Sequence, residues 1–260
     1  LGKGGVDVAK QVGAGNATIG GAIGDTPIIA RAQGIPVKAV AVLGGKSLTQ
    51  LVVHADRGIK GPKDLKGKVI TTMAYQDTTF FSLLGMLASA GLSKADVDAQ
   101  AAGAAGVWQL FAAGKADAMA AVPDWIVSAE QAGAKVNVYS SDEYFKSMAQ
   151  AILASDELIE KRPELIRKLV RATLHGMQDI MKDPAGAARD YVNAVPQNKG
   201  KEAYIEAVFK LYNLYVYPDQ KVLGAMDEAR LAAVQKFYLK EGIVPKETPV
   251  KDLYTNQFVQ

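Results

Sequence analysis

Two stretches of the chain resemble each other at a constant spacing, and this internal repeat limits the possible folds more than any single motif does. Residues 15–40 (GNATIGGAIGDTPIIARAQGIPVKAV) align without gaps with residues 114–139 (GKADAMAAVPDWIVSAEQAGAKVNVY) at an offset of 99 residues. Seven aligned positions are identical: Gly15/Gly114, Ala17/Ala116, Ala22/Ala121, Asp25/Asp124, Ala30/Ala129, Gly34/Gly133 and Val37/Val136. Each copy reads as strand, aspartate, helix, glycine and strand. The repeat therefore predicts two similar strand–helix–strand units, one in each of two α/β lobes.

Short apolar runs alternate with helical stretches through the first two thirds of the chain, which is typical of α/β units around a mostly parallel sheet. We predict eight strands, at residues 17–23, 37–43, 51–54, 68–72, 97–101, 116–122, 136–139 and 149–154. Four glycines follow helical stretches, where a C-terminal cap belongs: Gly34, Gly91, Gly114 and Gly133. From residue 156 onward the pattern is mostly helical, with Pro163 at a first helical position.

The composition permits a well-packed core and removes several kinds of site. Hydrophobic residues make up 49% of the 260 residues, and the net charge of +3 is too small to indicate nucleic-acid binding. The chain has no cysteine, which excludes thiol chemistry, disulfides and cysteine-type zinc sites. Its two histidines, His54 and His175, are far apart and have no neighbours at metal-ligand spacing. We expect no metal, no cofactor and no membrane-spanning segment.

Polar side chains gather where predicted strands give way to helices. The segment TTMAYQDTTF (71–80) carries four threonines, a tyrosine, an amide and a carboxylate, but no His, Cys, Lys or Arg. Ligands of open α/β sheets bind beyond the carboxyl ends of the strands. An anionic group could rest on the unpaired N–H groups of the helix that follows this segment. The pattern therefore favours binding over catalysis.

Four segments, in chain order, carry a family resemblance. They are GNATIGGAIGDTPIIARAQGIPVKAVAVL (15–43), GIKGPKDLKGKVI (58–70), AAGKADAMAAVPDW (112–125) and AILASDELIEKRPELIRKLVRA (151–172). Together they resemble the periplasmic substrate-binding proteins of ABC transporters, of the nitrate/sulfonate/taurine and thiamine-pyrimidine type. The similarity covers nearly the whole chain. A strand and a ligand-contacting loop that usually precede the segment matching GGVDV (4–8) in this family are absent here.

The resemblance implies the type II periplasmic-binding-protein fold, in which two α/β lobes are joined by a hinge and close on a ligand in the cleft between them. Lobe one would comprise residues 1–55 and 150–260, with a helical C-terminal part, and lobe two residues 56–149. The hinges would lie near residues 53–56 and 149–153.

By position, the resemblance implies a set of ligand contacts. The expected ligand-binding residues are Asp25, Thr26, Tyr75, Gln76, Thr78, Thr79, Asp124 and Trp125, with Lys46 and Ser47 as weaker candidates. Thr78 and Thr79 would hold an anionic or strongly polar end of the ligand, and Tyr75 and Trp125 could stack on a flat ring.

Structural roles are open to the same residues. Asp77, Thr78 or Thr79 can each cap the helix that begins near them, and Asp25 and Asp124 can cap helices or bind a ligand amine. The tryptophan of the second repeat fits the core of a lobe as well as it fits a ligand site.

The function implied by the resemblance is solute binding for an ABC importer. The protein would be a monomer that captures a small organic ligand, such as a sulfonate, an aromatic carboxylate or a pyrimidine-like molecule. It would deliver that ligand to a separate membrane permease with its ATPase. The location would be periplasmic, or extracellular with a lipid anchor, and we expect a signal peptide upstream of Leu1. The alternatives are a ligand-sensing lobe that docks on a receptor and a thiamine-pyrimidine synthase-like enzyme. The enzyme is disfavoured because its metal motif is rich in cysteine and this chain contains no cysteine.

Overall fold

A computed structural model describes residues 2 and 4–259, and the chain divides into two compact units. Unit 1 combines Leu1–Lys46 with Met148–Gln260, and unit 2 is the continuous segment Ser47–Ser147. These boundaries differ from the predicted lobes, which placed residues 47–55 in lobe one. The strand Gln50–His54 pairs on both sides with strands of unit 2, so the chain enters unit 2 before this strand and not after it.

The sheet of unit 1 has three strands in the order β1-β8-β2. They are β1 (Gly20–Ile23), β2 (Val37–Leu43) and β8 (Gln150–Ser155). The central strand β8 runs antiparallel to both neighbours, so β1 and β2 run parallel to each other. The first strand is shorter than predicted because residues 14–19 form turns and bends after the preceding helix.

The sheet of unit 2 has five strands in the order β5-β4-β6-β3-β7. They are β3 (Gln50–His54), β4 (Val69–Thr72), β5 (Asp98–Ala101), β6 (Ala118–Ala121) and β7 (Val136–Tyr139). β4 pairs in parallel with β5 and β6, whereas β3 pairs antiparallel with β6 and β7. The expectation of a mostly parallel sheet is wrong, since β3 and β8 run against their neighbours and four of the six strand pairings are antiparallel.

The internal repeat corresponds to a shared substructure. Helix α2 (Thr26–Ala32) connects β1 to β2, and helix α5 (Pro123–Gln131) connects β6 to β7. In each copy the two parallel strands are separated by one antiparallel strand, β8 or β3, which makes both copies split βαβ motifs. Both helices end at the predicted glycine caps, because Gly34 and Gly133 have φ values of 78° and 94°.

The remaining helices belong to one unit or the other. In unit 1 they are α1 (Gly5–Gly13), α6 (Asp156–Lys161), α7 (Pro163–Lys182), α8 (Pro184–Ala194), α9 (Glu202–Tyr215) and α10 (Glu228–Lys240). In unit 2 they are α3 (Thr78–Ser89) and α4 (Gly103–Ala112). Pro163 stands at the start of α7, as predicted. Within residues 2 and 4–259, no helix combines the length and the apolar character needed to cross a membrane.

Candidate functional site

Three helices of unit 2 begin at the same edge of its sheet. The parallel strands β5, β4 and β6 lie side by side, and α4, α3 and α5 follow their carboxyl ends. The structure therefore places the 71–80 segment and the Asp124–Trp125 junction at one edge, where α/β sheets bind ligands.

The start of α3 is capped from within. The Asp77 carboxylate accepts hydrogen bonds from the Thr79 backbone N–H at 3.0 Å and from the Thr79 hydroxyl at 2.8 Å. Thr78 and Thr79 are only 1% and 3% exposed. Because a carboxylate already stands at this helix N-terminus, a second anion here would meet like charge. Of the three capping candidates, Asp77 is the N-cap.

Tyr75 and Gln76 form the exposed part of the same segment. Tyr75 is 46% exposed, and its hydroxyl donates to the Ala99 carbonyl at 2.9 Å. Its ring packs edge-on against Phe80 with a centroid distance of 5.4 Å, and Lys94 Nζ lies 4.5 Å from the ring centroid. The Tyr75 side chain is thus held by contacts at its hydroxyl and at its ring. It is still exposed to solvent, as a ligand-stacking residue requires.

Asp124 and Trp125 lie in the first turn of α5, where their environments differ. Trp125 is 9% exposed and belongs to the core of unit 2, the structural role that the sequence left open. Asp124 is partly buried, and desolvation raises the pKa of its carboxyl above the ordinary value of 3.8. A desolvated carboxylate at the ligand edge of a sheet is a candidate for binding a polar group.

In unit 1, Asp25 and Thr26 follow β1 and are both fully buried. The Tyr238 hydroxyl donates to the Asp25 carboxylate at 2.6 Å, which ties the start of α2 to α10. Asp25 precedes α2 but its side chain makes no capping hydrogen bond in the described part of the chain, so the capping role considered for it is not seen there. Both residues follow the carboxyl end of β1, as expected, but their side chains are buried inside unit 1.

The two weaker candidates belong to different units. Lys46 ends unit 1, and its ammonium lies 3.3 Å from the Asp219 carboxylate. Ser47 begins unit 2 and is 1% exposed. Its backbone N–H and hydroxyl both donate to Asp142, at 2.8 Å and 2.5 Å. Ser47 is therefore held by a carboxylate of unit 2, and Lys46 pairs with a carboxylate of unit 1.

A cavity of about 290 Å³ lies in unit 1 beyond the carboxyl end of β2. Its polar wall comes from a segment that the sequence analysis did not single out: Asp219, Gln220, Lys221, Asp227 and Arg230. Val42, Met148 and Met226 supply apolar surface. The cavity thus combines two ammonium or guanidinium groups, two carboxylates and an apolar floor, a lining suited to a small organic ligand.

Backbone approach shapes this cavity. Gly44, with a φ of 140°, and Gly45 leave no room for a Cβ beside the backbone of residues 216–220. Gln220 clamps the segment, since its amide donates to the Val42 carbonyl at 2.9 Å and its side-chain oxygen accepts from the Gly224 N–H at 3.1 Å.

Asp219, in the same wall, has an unusual backbone conformation. Among the described non-glycine residues it is the one with a positive φ, 71°. Such conformations gather at binding sites. The sequence signals that could have located this wall are the turn pattern Tyr-Pro-Asp-Gln (217–220) and the two glycines directly after a strand.

Comparison with known sequences identifies relatives. The family model described as NMT1/THI5 like matches residues 2–187. The riboflavin-binding protein RibY of Chloroflexus aurantiacus is 26% identical over 240 residues, which are 91% of this chain and 68% of RibY.

Comparison with solved structures gives the same architecture. The alkanesulfonate-binding protein SsuA of Xanthomonas axonopodis pv. citri, bound to MOPS, has a TM-score of 0.76 at 19% identity, with 98% of this chain and 86% of that chain covered. The desulfurization enzyme DszB, in complex with biphenyl-2-sulfinic acid, has a TM-score of 0.64 at 15% identity, with 98% and 88% covered. Binding proteins and an enzyme therefore share this fold.

Proposed function

Because the chain belongs to the NMT1/THI5-like family, we propose that it is the solute-binding component of an ABC importer. It captures a small organic ligand and delivers that ligand to a membrane permease, which works with an ATPase. The permease and the ATPase are separate proteins, and this chain acts as a monomer in the periplasm, or outside the cell on a lipid anchor, after removal of a signal peptide.

The observation that carries this proposal is the cavity of unit 1. Its wall places Lys221 near an incoming anionic group, and its apolar surface suits a ring or an alkyl part. Arg230, Asp219 and Asp227 also line the cavity, where they are already held by contacts within unit 1. Unit 2, taken by itself, carries the exposed aromatic ring of Tyr75, which is held in a fixed orientation. Apolar surface with a small number of polar groups is the usual composition of a small-molecule binding site.

We infer a ligand with a flat or ring-shaped part and a polar or anionic part. RibY is a riboflavin-binding protein, SsuA was solved with MOPS, and DszB was solved with biphenyl-2-sulfinic acid. All three molecules contain a ring, and two carry an acidic sulfur group. A sulfonate, an aromatic carboxylate or a pyrimidine-like molecule fits the mixed lining of the cavity. Gln76, Asp124 and Trp125 in unit 2 remain proposed contacts, as do the buried Asp25, Thr26, Thr78 and Thr79.

We propose binding without catalysis. DszB shows that the fold can carry an enzyme, but the absence of cysteine from all 260 residues disfavours an enzyme whose metal motif is rich in cysteine. A sensor that docks on a receptor would use the same ligand contacts. Pull-down with the permease of an adjacent transport operon separates delivery to a permease from docking on a receptor.

The proposal is tested by thermal shift and calorimetry on the whole chain with riboflavin, an alkanesulfonate, an aromatic carboxylate and a pyrimidine. A true ligand at one hundred times its Kd stabilises the fold by about 2.7 kcal/mol, which raises Tm clearly. Lys221→Gln should weaken an anionic ligand at least about tenfold, equivalent to about 1.4 kcal/mol. If none of the four classes shifts Tm at millimolar concentration, the proposed ligand class is wrong.

A further inference from the structure

One face of α7 carries a row of basic side chains beside a second cavity of unit 1. Arg167, Arg171 and His175 are spaced four residues apart, so they lie above one another on the helix surface. All three line a cavity of about 240 Å³. The row therefore lines one side of this cavity, and Arg171 and His175 are also exposed to solvent.

The second cavity also has apolar lining residues. Leu174, on α7 next to the basic row, and Phe258 are 6% and 4% exposed, and Leu223 also lines the cavity. Among the described residues that line it there is no aspartate or glutamate. The cavity thus joins two guanidinium groups to apolar surface, and the carboxylate that pairs with one of them, that of Glu164, lies outside its lining.

The basic side chains differ in how they are held. Arg167 is fixed, since it donates to the Gln257 carbonyl at 3.3 Å, pairs with Glu164 at 3.4 Å and lies 5.7 Å from the Phe258 ring centroid. Within residues 2 and 4–259, neither Arg171 nor His175 forms a side-chain hydrogen bond or an ion pair. Their N–H groups are therefore available to a ligand.

We propose that this second cavity is an accessory binding site for a small organic oxyanion. The carboxylate or phosphate group lies on Arg171 and His175, because a guanidinium binds such groups through two parallel hydrogen bonds. The apolar part of the ligand packs on Leu174, Leu223 and Phe258. The volume is below the range of about 300–1,000 Å³ typical of drug-sized ligands, so the ligand is a small one, of the size of benzoate.

The accessory site does not depend on the proposed transport function. Among the described lining residues, Val222 alone is common to both cavities, and the first cavity is lined by a different set of charged residues, including Lys221 and Arg230. Variants that affect one cavity and not the other can therefore be made.

The test is a titration of the whole chain with benzoate, followed by backbone amide NMR. We expect the amide signals of Leu174 and Leu223 to move, and benzoate to bind at least about tenfold more tightly than the neutral benzyl alcohol. Phenyl phosphate in the same titration identifies which oxyanion is preferred. Benzoate that moves neither signal, or that binds no better than benzyl alcohol, overturns the proposal.

Two variants locate the binding. Arg171→Gln should weaken the benzoate binding that moves the Leu174 and Leu223 signals at least about tenfold, since it removes the guanidinium from the cavity. Arg189→Gln removes the same charge from an exposed position on α8 outside both cavities and should leave that binding unchanged. If Arg189→Gln weakens benzoate as much as Arg171→Gln does, the accessory site is wrong.

Discussion

At the strand-to-helix junctions, the polar side chains differ in burial, and burial sets whether a substitution acts first on stability or on ligand binding. Asp25, Thr26, Thr78 and Thr79 are at most 3% exposed, whereas Tyr75 is 46% exposed. A buried hydroxyl or carboxylate has to find its hydrogen-bond partners inside the protein. We therefore expect substitutions of the four buried residues to act first on stability, and substitution of Tyr75 to act first on binding.

The desolvated carboxyl of Asp124 should lower the free energy of unfolding at neutral pH. Burial raises the pKa of its carboxyl in the folded state above the ordinary 3.8, so the folded protein keeps this proton when the unfolded chain has lost it. The free energy of unfolding therefore falls as the pH rises from below 3.8 through the folded-state pKa, and it stays lower above that. Asp124→Asn removes this titration. We expect the Asp124→Asn variant to have a higher Tm than the unchanged protein at pH 7 and nearly the same Tm at pH 3.

The measurement is thermal unfolding followed by circular dichroism at both pH values. Asp190→Asn, at an exposed position of α8, is the matched control and should change Tm little at either pH. A gain for Asp124→Asn of equal size at pH 3 and pH 7 would show that burial of the charge is not its cause.

Tyr238→Phe should destabilise unit 1. The Tyr238 hydroxyl and the Asp25 carboxylate are both fully buried, and the variant removes their hydrogen bond of 2.6 Å. Losing a hydrogen bond to a buried carboxyl group costs about 1–3 kcal/mol of unfolding free energy, measurable by urea denaturation. Tyr191→Phe, at a side chain that is 41% exposed, is the control. Equal effects of the two variants would contradict a structural role for the Tyr238–Asp25 bond.

At the scale of single elements, local signals in the sequence were sufficient to locate the strands and the glycine caps of the helices. All eight predicted strands are present, and the glycines predicted as caps have positive φ values, including 73° at Gly91 and 71° at Gly114. These features depend on apolar runs and on residues that tolerate the left-handed conformation. Strand pairing depends on contacts between distant residues, so the antiparallel positions of β3 and β8 could not be read from the same signals.

Sequence spacing says less about the candidate site, for a related reason. The junction residues follow the carboxyl ends of strands, but sequence spacing does not show which of them face inward or which partners they have. The Thr79 hydroxyl, for example, donates to the Asp77 carboxylate at 2.8 Å, a contact that the sequence does not reveal. Much of the wall of the first cavity is the segment 219–226, which lies outside helices and strands and is held by Gln220, a residue without a local pattern.

Two helical glycines provide a matched pair at the scale of elements. A Cβ at Gly85 in α3 would overlap the ring of Phe145, whereas a Cβ at Gly176 in α7 would have nothing within 4 Å. Alanine favours a helix interior over glycine by about 1 kcal/mol. Gly176→Ala should therefore stabilise by about 0.5–1 kcal/mol, while Gly85→Ala should destabilise by about 1–3 kcal/mol through overpacking.

Urea denaturation of both variants measures the difference. If Gly85→Ala is as stable as Gly176→Ala, the Phe145 ring does not depend on the space that Gly85 leaves for it.

At the scale of the molecule, unit 2 is a continuous insertion into unit 1, and both of its ends are fastened within it. Ser47 at its start donates to Asp142, and the Ser82 hydroxyl donates to the Ser147 hydroxyl at 3.0 Å at its end. Unit 1, by contrast, takes its central strand β8 from the second of its two chain segments. The two units should thus differ in their ability to fold alone, although each contains one copy of the repeat.

We expect the isolated segment 47–147 to fold cooperatively. It contains all five strands of its sheet and a core in which β3 residues 51–53 and the whole of β6 are fully buried. Segments with their own core and about 100 residues commonly fold as independent domains. Urea denaturation followed by circular dichroism should show a single transition with a slope of about 1–2 kcal/mol per molar urea. Ile70→Asp, which places a charge at a fully buried position of β4, is the control and should abolish the transition. A segment 47–147 that gives no transition, while the whole chain unfolds cooperatively, would show that unit 2 needs unit 1 in order to fold.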